Sequence, residues 1–355
     1  MLTNKDIMLT VDYHDENLVI RRLDGATGEE RVLQVPTTAP AIEKVIREAQ
    51  AEVPESGRVI WIMESTTGWA RVKELVGKAI REGKVSFVLC NVLEMSLPLK
   101  ARRKKTDKID TARMQREALN GTLPAAYQPP RWLRRLRRLV SLRENLVSRR
   151  TALRNWIGRF LAHETWEDRQ GLWTVRGLDR LARLPLSRSD RLVVATKLDE
   201  MHHLETLLEP VEKEIVRFYG YWPAAQRLDE MRGIALISAV SILARIGPVG
   251  RFAREDQLIG YAGLAPGVRQ SDQTKLTGHI GGGGTDKSLR HYLIEASVWA
   301  RQIPRYRPAY DRVCHKRGKK IARLVVARMM LRSIYKMLKD DVRFNQLPAY
   351  AGVRA

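Results

Sequence analysis

Arg58-Val59-Ile60-Trp61-Ile62-Met63-Glu64 is the stretch that decides the fold. An apolar run this short, with charge at both ends, reads as a strand buried on both faces in the middle of a sheet. Toward the N-terminus, Ala39 to Val53 has helical periodicity, with Pro40 well suited to its first turn. Before it lie three β-prone runs, Ile7 to His14, Asn17 to Leu23 and Glu30 to Val35, separated by turn signals that include Gly25 and Gly28. Three strands in succession predict an antiparallel meander. Toward the C-terminus, Trp69 to Glu82 reads as a helix and Val85 to Cys90 as a second buried strand. A further helix starts at Asp107. The order is β-β-β-α-β-α-β-α.

Lys104-Lys105-Thr106-Asp107-Lys108-Ile109-Asp110-Thr111-Ala112-Arg113 carries the chemistry. Asp107 and Asp110 are three residues apart, hence on one helix face. Like charges held that close repel unless a cation sits between them. Oxygen-only ligands in a basic surround point to Mg²⁺ or Mn²⁺, with nucleic-acid phosphate as substrate. Taken alone, the stretch is equally an exposed helix start, with Asp107 capping and Asp110 favouring the dipole. Asp12 near the end of the first strand and Glu64 immediately after the fourth tip the balance. Each by itself is more readily a turn-proximal or helix-start acid. Together, in this order, Asp12, Glu64, Asp107 and Asp110 are expected to converge as a two-metal site for phosphodiester cleavage. His14 shares a strand face with Asp12 and is read as a solvated loop histidine.

The 355 residues leave room for two or three domains. Lys plus Arg number 63 against 40 for Asp plus Glu, a net +23 that favours a polyanionic partner, nucleic acid before membrane. No apolar run long enough for a bilayer span occurs, and the first residues lack a secretion-signal layout. Cys90 and Cys314 are too few for a disulfide framework or a cysteine-based zinc site. The expected setting is a reducing cytoplasm.

Gly121 to Pro130 is a proline-rich connection, so 1–128 is expected as the first domain. From Arg131 a long basic helix follows, with Leu139, Leu142, Leu146, Leu153, Trp156 and Phe160 near a 3.5-residue seam. Arg131, Arg134, Arg135, Arg137 and Arg138 are dense enough to favour contact with nucleic-acid backbone over a merely solvated face. Residues 165–190 are less regular. Asp190 to Tyr219 is again amphipathic, so 129–227 reads as a helical hairpin or coiled coil packing on a sister subunit, a basic oligomerisation region. Within 228–355, Gly233 leading into the apolar Leu236 to Ile246 resembles half of a helix-hairpin-helix. Phe252 to Ala262 is a second helix, and Val268 to Lys275 a polar loop. Gly281 to Gly284 precede a helix that begins at Asp286, and Arg312 to Lys339 is a basic amphipathic helix.

The strand and helix order resembles the ribonuclease-H-like layout, and the whole chain resembles insertion-sequence transposases of the DEDD class. More narrowly it is similar to the bridge-RNA-guided serine recombinases of the IS110 type. The resemblance rests on Val11-Asp12, Met63-Glu64-Ser65-Thr66-Thr67-Gly68, Lys105 through Arg113, and Tyr261-Ala262-Gly263-Leu264-Ala265-Pro266. It implies a RuvC-like domain joined through a coiled coil to a mostly helical C-terminal transposase domain. It also implies that Ser271, in the loop after the AGL-x-P block, attacks DNA to form a 5′-phosphoserine. A serine hydroxyl needs deprotonation or metal activation to do so, and the carboxylate-bound Mg²⁺ would supply it. Arg269 and Lys275 are candidates for phosphate contacts beside it, as are Lys104, Lys105, Arg134, Arg135 and Arg138 elsewhere. The implied partners are donor and target DNA, a structured guide RNA, and further copies of the chain in a dimer or tetramer. The implied location is the prokaryotic nucleoid. Tyr13-His14 stand where relatives often carry a lysine, and the glycine run at 281–284 replaces a more basic segment. Two other readings are a RuvC-like nuclease or junction resolvase using water, and an inactive nucleic-acid-binding scaffold.

Overall fold

A computed structural model describes the backbone of residues 3–66, 68–95, 107–164, 170–271, 274–280 and 284–348. It divides into two compact units, Met1–Gln128 and Pro129–Ala355.

The first unit is a five-stranded mixed sheet with helices. Its strands are β1 Ile7–Tyr13, β2 Asn17–Asp24, β3 Glu30–Pro36, β4 Val59–Glu64 and β5 Val85–Cys90, in the order β3-β2-β1-β4-β5. β1, β2 and β3 pair antiparallel, as the turn residues predict, whereas β1–β4 and β4–β5 are parallel. A parallel partner requires a crossover, and helix α1 (Ala39–Glu52) supplies it between β3 and β4. Side chains alternate between the faces. Ile7, Leu9 and Val11, with Val59, Trp61 and Met63, pack against Ile42, Val45 and Ile46 of α1. On the other face Met8, Ile62 and Cys90 meet Met114 of helix α4 (Asp107–Leu119). Trp61 is fully buried, as its place in a central strand demands.

The helix expected over Trp69 to Glu82 is two short ones, α2 Trp69–Leu75 and α3 Gly77–Arg81, with Val76 between them outside helical geometry.

The second unit is almost entirely helical. α5 (Arg131–Glu164) and α7 (Arg188–Gly220) lie side by side. Arg143 pairs with Glu212 at 2.7 Å and Arg154 with Glu205 at 3.5 Å, so rising numbers on α5 meet falling numbers on α7 and the pair is antiparallel. Leu146 and Leu153 are buried against Met201, Leu204 and Leu208. Much of the expected seam is therefore filled from within the chain. The irregular stretch between the two arms contains helix α6 (Val175–Arg183), whose Thr174 cap accepts from the Gly177 amide.

Helices α8 (Pro223–Asp229), α9 (Leu236–Ile246), α10 (Glu255–Tyr261), α11 (Lys287–Ala300) and α12 (Arg307–Asp340) complete the unit. Phe252, expected in the α10 helix, instead ends a 3₁₀ turn over Val249–Arg251. α12 starts earlier than Arg312 and breaks at Gly318, whose φ of 81° lies where only glycine sits without strain. The segment read as a polar loop forms an antiparallel strand pair, β6 Pro266–Ser271 and β7 Thr274–Ile280. Among the described residues no helix is long and apolar enough to cross a membrane.

Candidate active site

β1 and β4 run parallel with Val11 opposite Met63, which sets Asp12 and Glu64 at adjoining strand ends. Both follow the two-residue alternation onto the face that α4 covers. Asp12 is buried and Glu64 half-buried. His14 Nε2 lies 3.5 Å from Asp12 Oδ2, so this histidine, expected in a solvated loop, touches the site. The signal for it was in the chain, since residues 12 and 14 share a face.

Opposite Glu64 across the next ladder stands Cys90. Burial pushes its thiol up to about 12, and the negative charge of Glu64 adds to the effect while Arg113 opposes it. The thiol is therefore a neutral wall of the site rather than a nucleophile, and Arg113 brings a cation to the same end of the sheet.

Of the helix pair, Asp110 is half-buried on α4, just before the fully buried Thr111. The Asp107 side chain lies outside the described residues. α4 is fastened to the sheet further along, where Gln115 Nε2 donates to Glu30 Oε1 at 2.7 Å. The structure thus brings Asp12 and Glu64 together and puts α4 over their face. Among the described residues no group of three or more His, Cys, Asp or Glu side chains forms a ready metal cluster. The donor chemistry nonetheless fits a hard divalent cation. Two carboxylates at adjacent strand ends on one face offer only oxygen and gain from a positive ion between them.

Ser271 ends β6, with Thr274 opposite. Arg269 faces Leu276 and Lys275 faces Gln270 in the same ladder. These side chains lie outside the described residues, as do Lys104 and Lys105. Arg328 of α12 donates from Nε and Nη2 to the Leu264 carbonyl at 3.1 and 2.8 Å. Gly263 has φ 65°, and a Cβ there would stand 2.8 Å from Thr285 Oγ1, so the turn tolerates no side chain. Tyr261 OH reaches Asp286, whose other oxygen caps α11 through the Leu289 amide. Burial, then the charge of Asp286, pushes the Tyr261 hydroxyl above its ordinary range.

The basic face of α5 is partly spoken for. Arg137 donates to the carbonyls of Ala244 and Arg245 at 2.7 and 3.0 Å, satisfying the C-terminal end of α9. Arg134 donates to the Pro129 carbonyl at 3.0 Å, whereas Arg135 and Arg138 are exposed. Arg137 is therefore a structural residue rather than part of an open phosphate-binding face.

Comparison with known proteins points to one family. Residues 9–164 match the model of the IS110-type DEDD transposases, and residues 225–311 match that of the transposase IS116/IS110/IS902 family. A Sinorhizobium fredii protein named "Putative transposase y4qE" is 30% identical over 207 residues, 57% of this chain and 50% of that protein. The "Insertion element IS110 uncharacterized 43.6 kDa protein" of Streptomyces coelicolor is 27% identical over 159 residues, 44% of this chain and 38% of that one. The chain spans half or less of the length of these relatives. With two models of one family matching in order along it, the chain belongs to the IS110 family of insertion-sequence transposases.

Proposed function

We propose that the protein is a DNA recombinase that cuts and rejoins the ends of its own mobile element through a covalent serine intermediate. In this reading the first unit is a RuvC-like, ribonuclease-H-like domain, which the strand order β3-β2-β1-β4-β5 supports. Asp12, Glu64, Asp107 and Asp110 would hold Mg²⁺, which when bound neutralises charge on the scissile phosphate and lowers the pKa of the attacking hydroxyl. Ser271 Oγ attacks phosphorus, the Oγ–P bond forms and the P–O3′ bond breaks. The serine proton goes to solvent and the leaving 3′ oxygen takes one up. Attack by another strand's 3′ hydroxyl reverses the step and restores the serine, so no further reactant is consumed.

The observation that carries the reading is the pairing of Asp12 and Glu64 at adjoining ends of parallel strands, on the face α4 covers, in a chain of this family. Nucleophile and carboxylates belong to different units, and we take them to act together in an oligomer. Choice of target by a structured RNA rests on the family resemblance alone, and sequencing RNA that co-purifies with the protein tests it.

The chemistry is tested with end-labelled element DNA and Mg²⁺, followed on denaturing gels. A labelled protein–DNA adduct is expected with the wild type and none with Ser271→Ala. DNA cleavage that persists in Ser271→Ala without an adduct would make the protein a hydrolytic nuclease. Salt-sensitive binding with no cleavage, indifferent to Mg²⁺ and to Asp12→Asn, would make it a scaffold.

A further inference from the structure

Three arginines from separate stretches of the second unit meet around one pocket of about 490 Å³. Arg232 belongs to the turn between α8 and α9, Arg301 ends α11, and Arg307 opens α12. Gln302, Tyr310 and Asp311 complete the lining. Their convergence is built into the backbone. Gly233 has φ 97°, and a Cβ on it would fall 2.4 Å from the Ala296 carbonyl oxygen, so the turn is seated directly on α11. That contact sets Arg232 beside the end of the helix carrying Arg301. A tight turn of a few residues then brings Arg307 round.

The electrostatics of the pocket are one-sided. Arg301 is half-buried, donating Nε to the Val298 carbonyl at 2.9 Å and Nη1 to Tyr310 OH at 3.1 Å. Its guanidinium lies 5.4 Å from the Tyr310 ring centre. Neither contact cancels its charge. Arg307 has Asp311 at 3.6 Å, and Arg232 pairs with no acid among the described residues. Three cations thus face one carboxylate. Bringing like charges together from three segments costs free energy that an anion in the pocket would recover. The fork of a guanidinium suits phosphate oxygens, and a tyrosine hydroxyl and a glutamine amide add neutral donors.

We propose that this pocket binds a backbone phosphate of nucleic acid, at a place the carboxylate site does not include. Such a contact fixes the position of the strand and reads no sequence. The ligand is a phosphodiester, of DNA or of RNA, and the pocket gripping it belongs to the turn that resembles a helix-hairpin-helix.

The test uses the full chain in Mg²⁺-free buffer, so cleavage and the carboxylates play no part and the outcome is separable from that of the proposed reaction. Affinity for a labelled duplex DNA and for a labelled RNA hairpin is measured across a salt series. Arg232→Gln with Arg307→Gln, both at exposed positions, is expected to lower the magnitude of the log-affinity versus log-salt slope by about one. Asp311→Asn removes the opposing charge and is expected to tighten binding to the same nucleic acid. Arg47→Gln, exposed on α1, is the control. A change in the DNA arm alone, the RNA arm alone, or both supports the pocket and names its ligand. No slope change in either arm overturns it, and so does an equal change in Arg47→Gln.

Discussion

The two ends of β1 carry the same side chain at nearly the same burial in different company. Asp6, just before the strand, is 3% exposed and Asp12, near its end, 7%. Asp6 accepts from the Thr3 amide and hydroxyl, both at 2.8 Å, and from the Arg58 amide at 3.0 Å, with the Arg58 guanidinium 4.0 Å away. Burial raises its pKa, but the hydrogen bonds from Thr3 and Arg58, helped by the Arg58 charge, outweigh burial and hold the carboxyl below its ordinary value. Asp12 instead has His14 Nε2 at 3.5 Å and a second acid, Glu64, at the adjoining strand end. A buried carboxylate answered by backbone amides pins a chain entry. One placed beside another carboxylate meets a like charge, which a cation between them would relieve. Burial alone does not tell the two apart; the neighbours do.

The largest expected effect comes from Asp12→Asn. If Asp12 holds Mg²⁺ as proposed, its loss should cut DNA cleavage by about 100-fold or more. It should also abolish the Mg²⁺-dependent rise in melting temperature expected of the wild type, while the Mg²⁺-free protein stays as stable as wild type or more so. A mutant destabilised without Mg²⁺ would mean that Asp12 is a structural pin like Asp6.

Next is Asp6→Asn, which replaces a charged acceptor of backbone donors and should cost about 1.5–3 kcal/mol in urea unfolding, with no specific loss of metal response. Its pH dependence has a definite sign. A carboxyl depressed in the folded state stabilises above its unfolded pKa, and that stability is lost as pH falls through the folded value. The gap between wild type and Asp6→Asn should therefore narrow as the pH is lowered below about 4. A gap that is constant with pH would contradict the assignment.

Smaller still is Gly68→Ala, at the Asp12 end. A Cβ there would lie 2.1 Å from the Tyr13 ring, which must give way, for about 1 kcal/mol of stability. The least is His14→Asn. Its side chain is 52% exposed, so the stability change should stay within about 0.5 kcal/mol, and any larger loss of cleavage would mark a role beside Asp12.

The central sheet was legible because its signal is local. Val59 to Met63 has too little polarity for anything but a buried strand, and Gly25 and Gly28 mark turns wherever they occur. The acids were legible as candidates for the same reason. The strand pair at Pro266–Ser271 and Thr274–Ile280 was not, because its glycine-containing, largely polar sequence lacks the alternation that marks a half-buried strand. Nor could Arg137 be separated from its exposed neighbours Arg135 and Arg138. Its role depends on the end of α9, more than a hundred residues away in the chain.

The sequence by itself determined the periodicities, the charge excess and the positions of the acids, since each is a property of the residues in a short window. Only the tertiary structure decided that Asp12 and Glu64 end adjacent parallel strands on one face, that Asp6 is a pin, and that Arg232, Arg301 and Arg307 share a pocket. Those adjacencies are set by strand order, crossover and the seating of Gly233 on α11. No short window contains Asp12 with Glu64, Asp6 with Arg58, or Arg232 with Arg301, so the packing of the whole chain had to choose them.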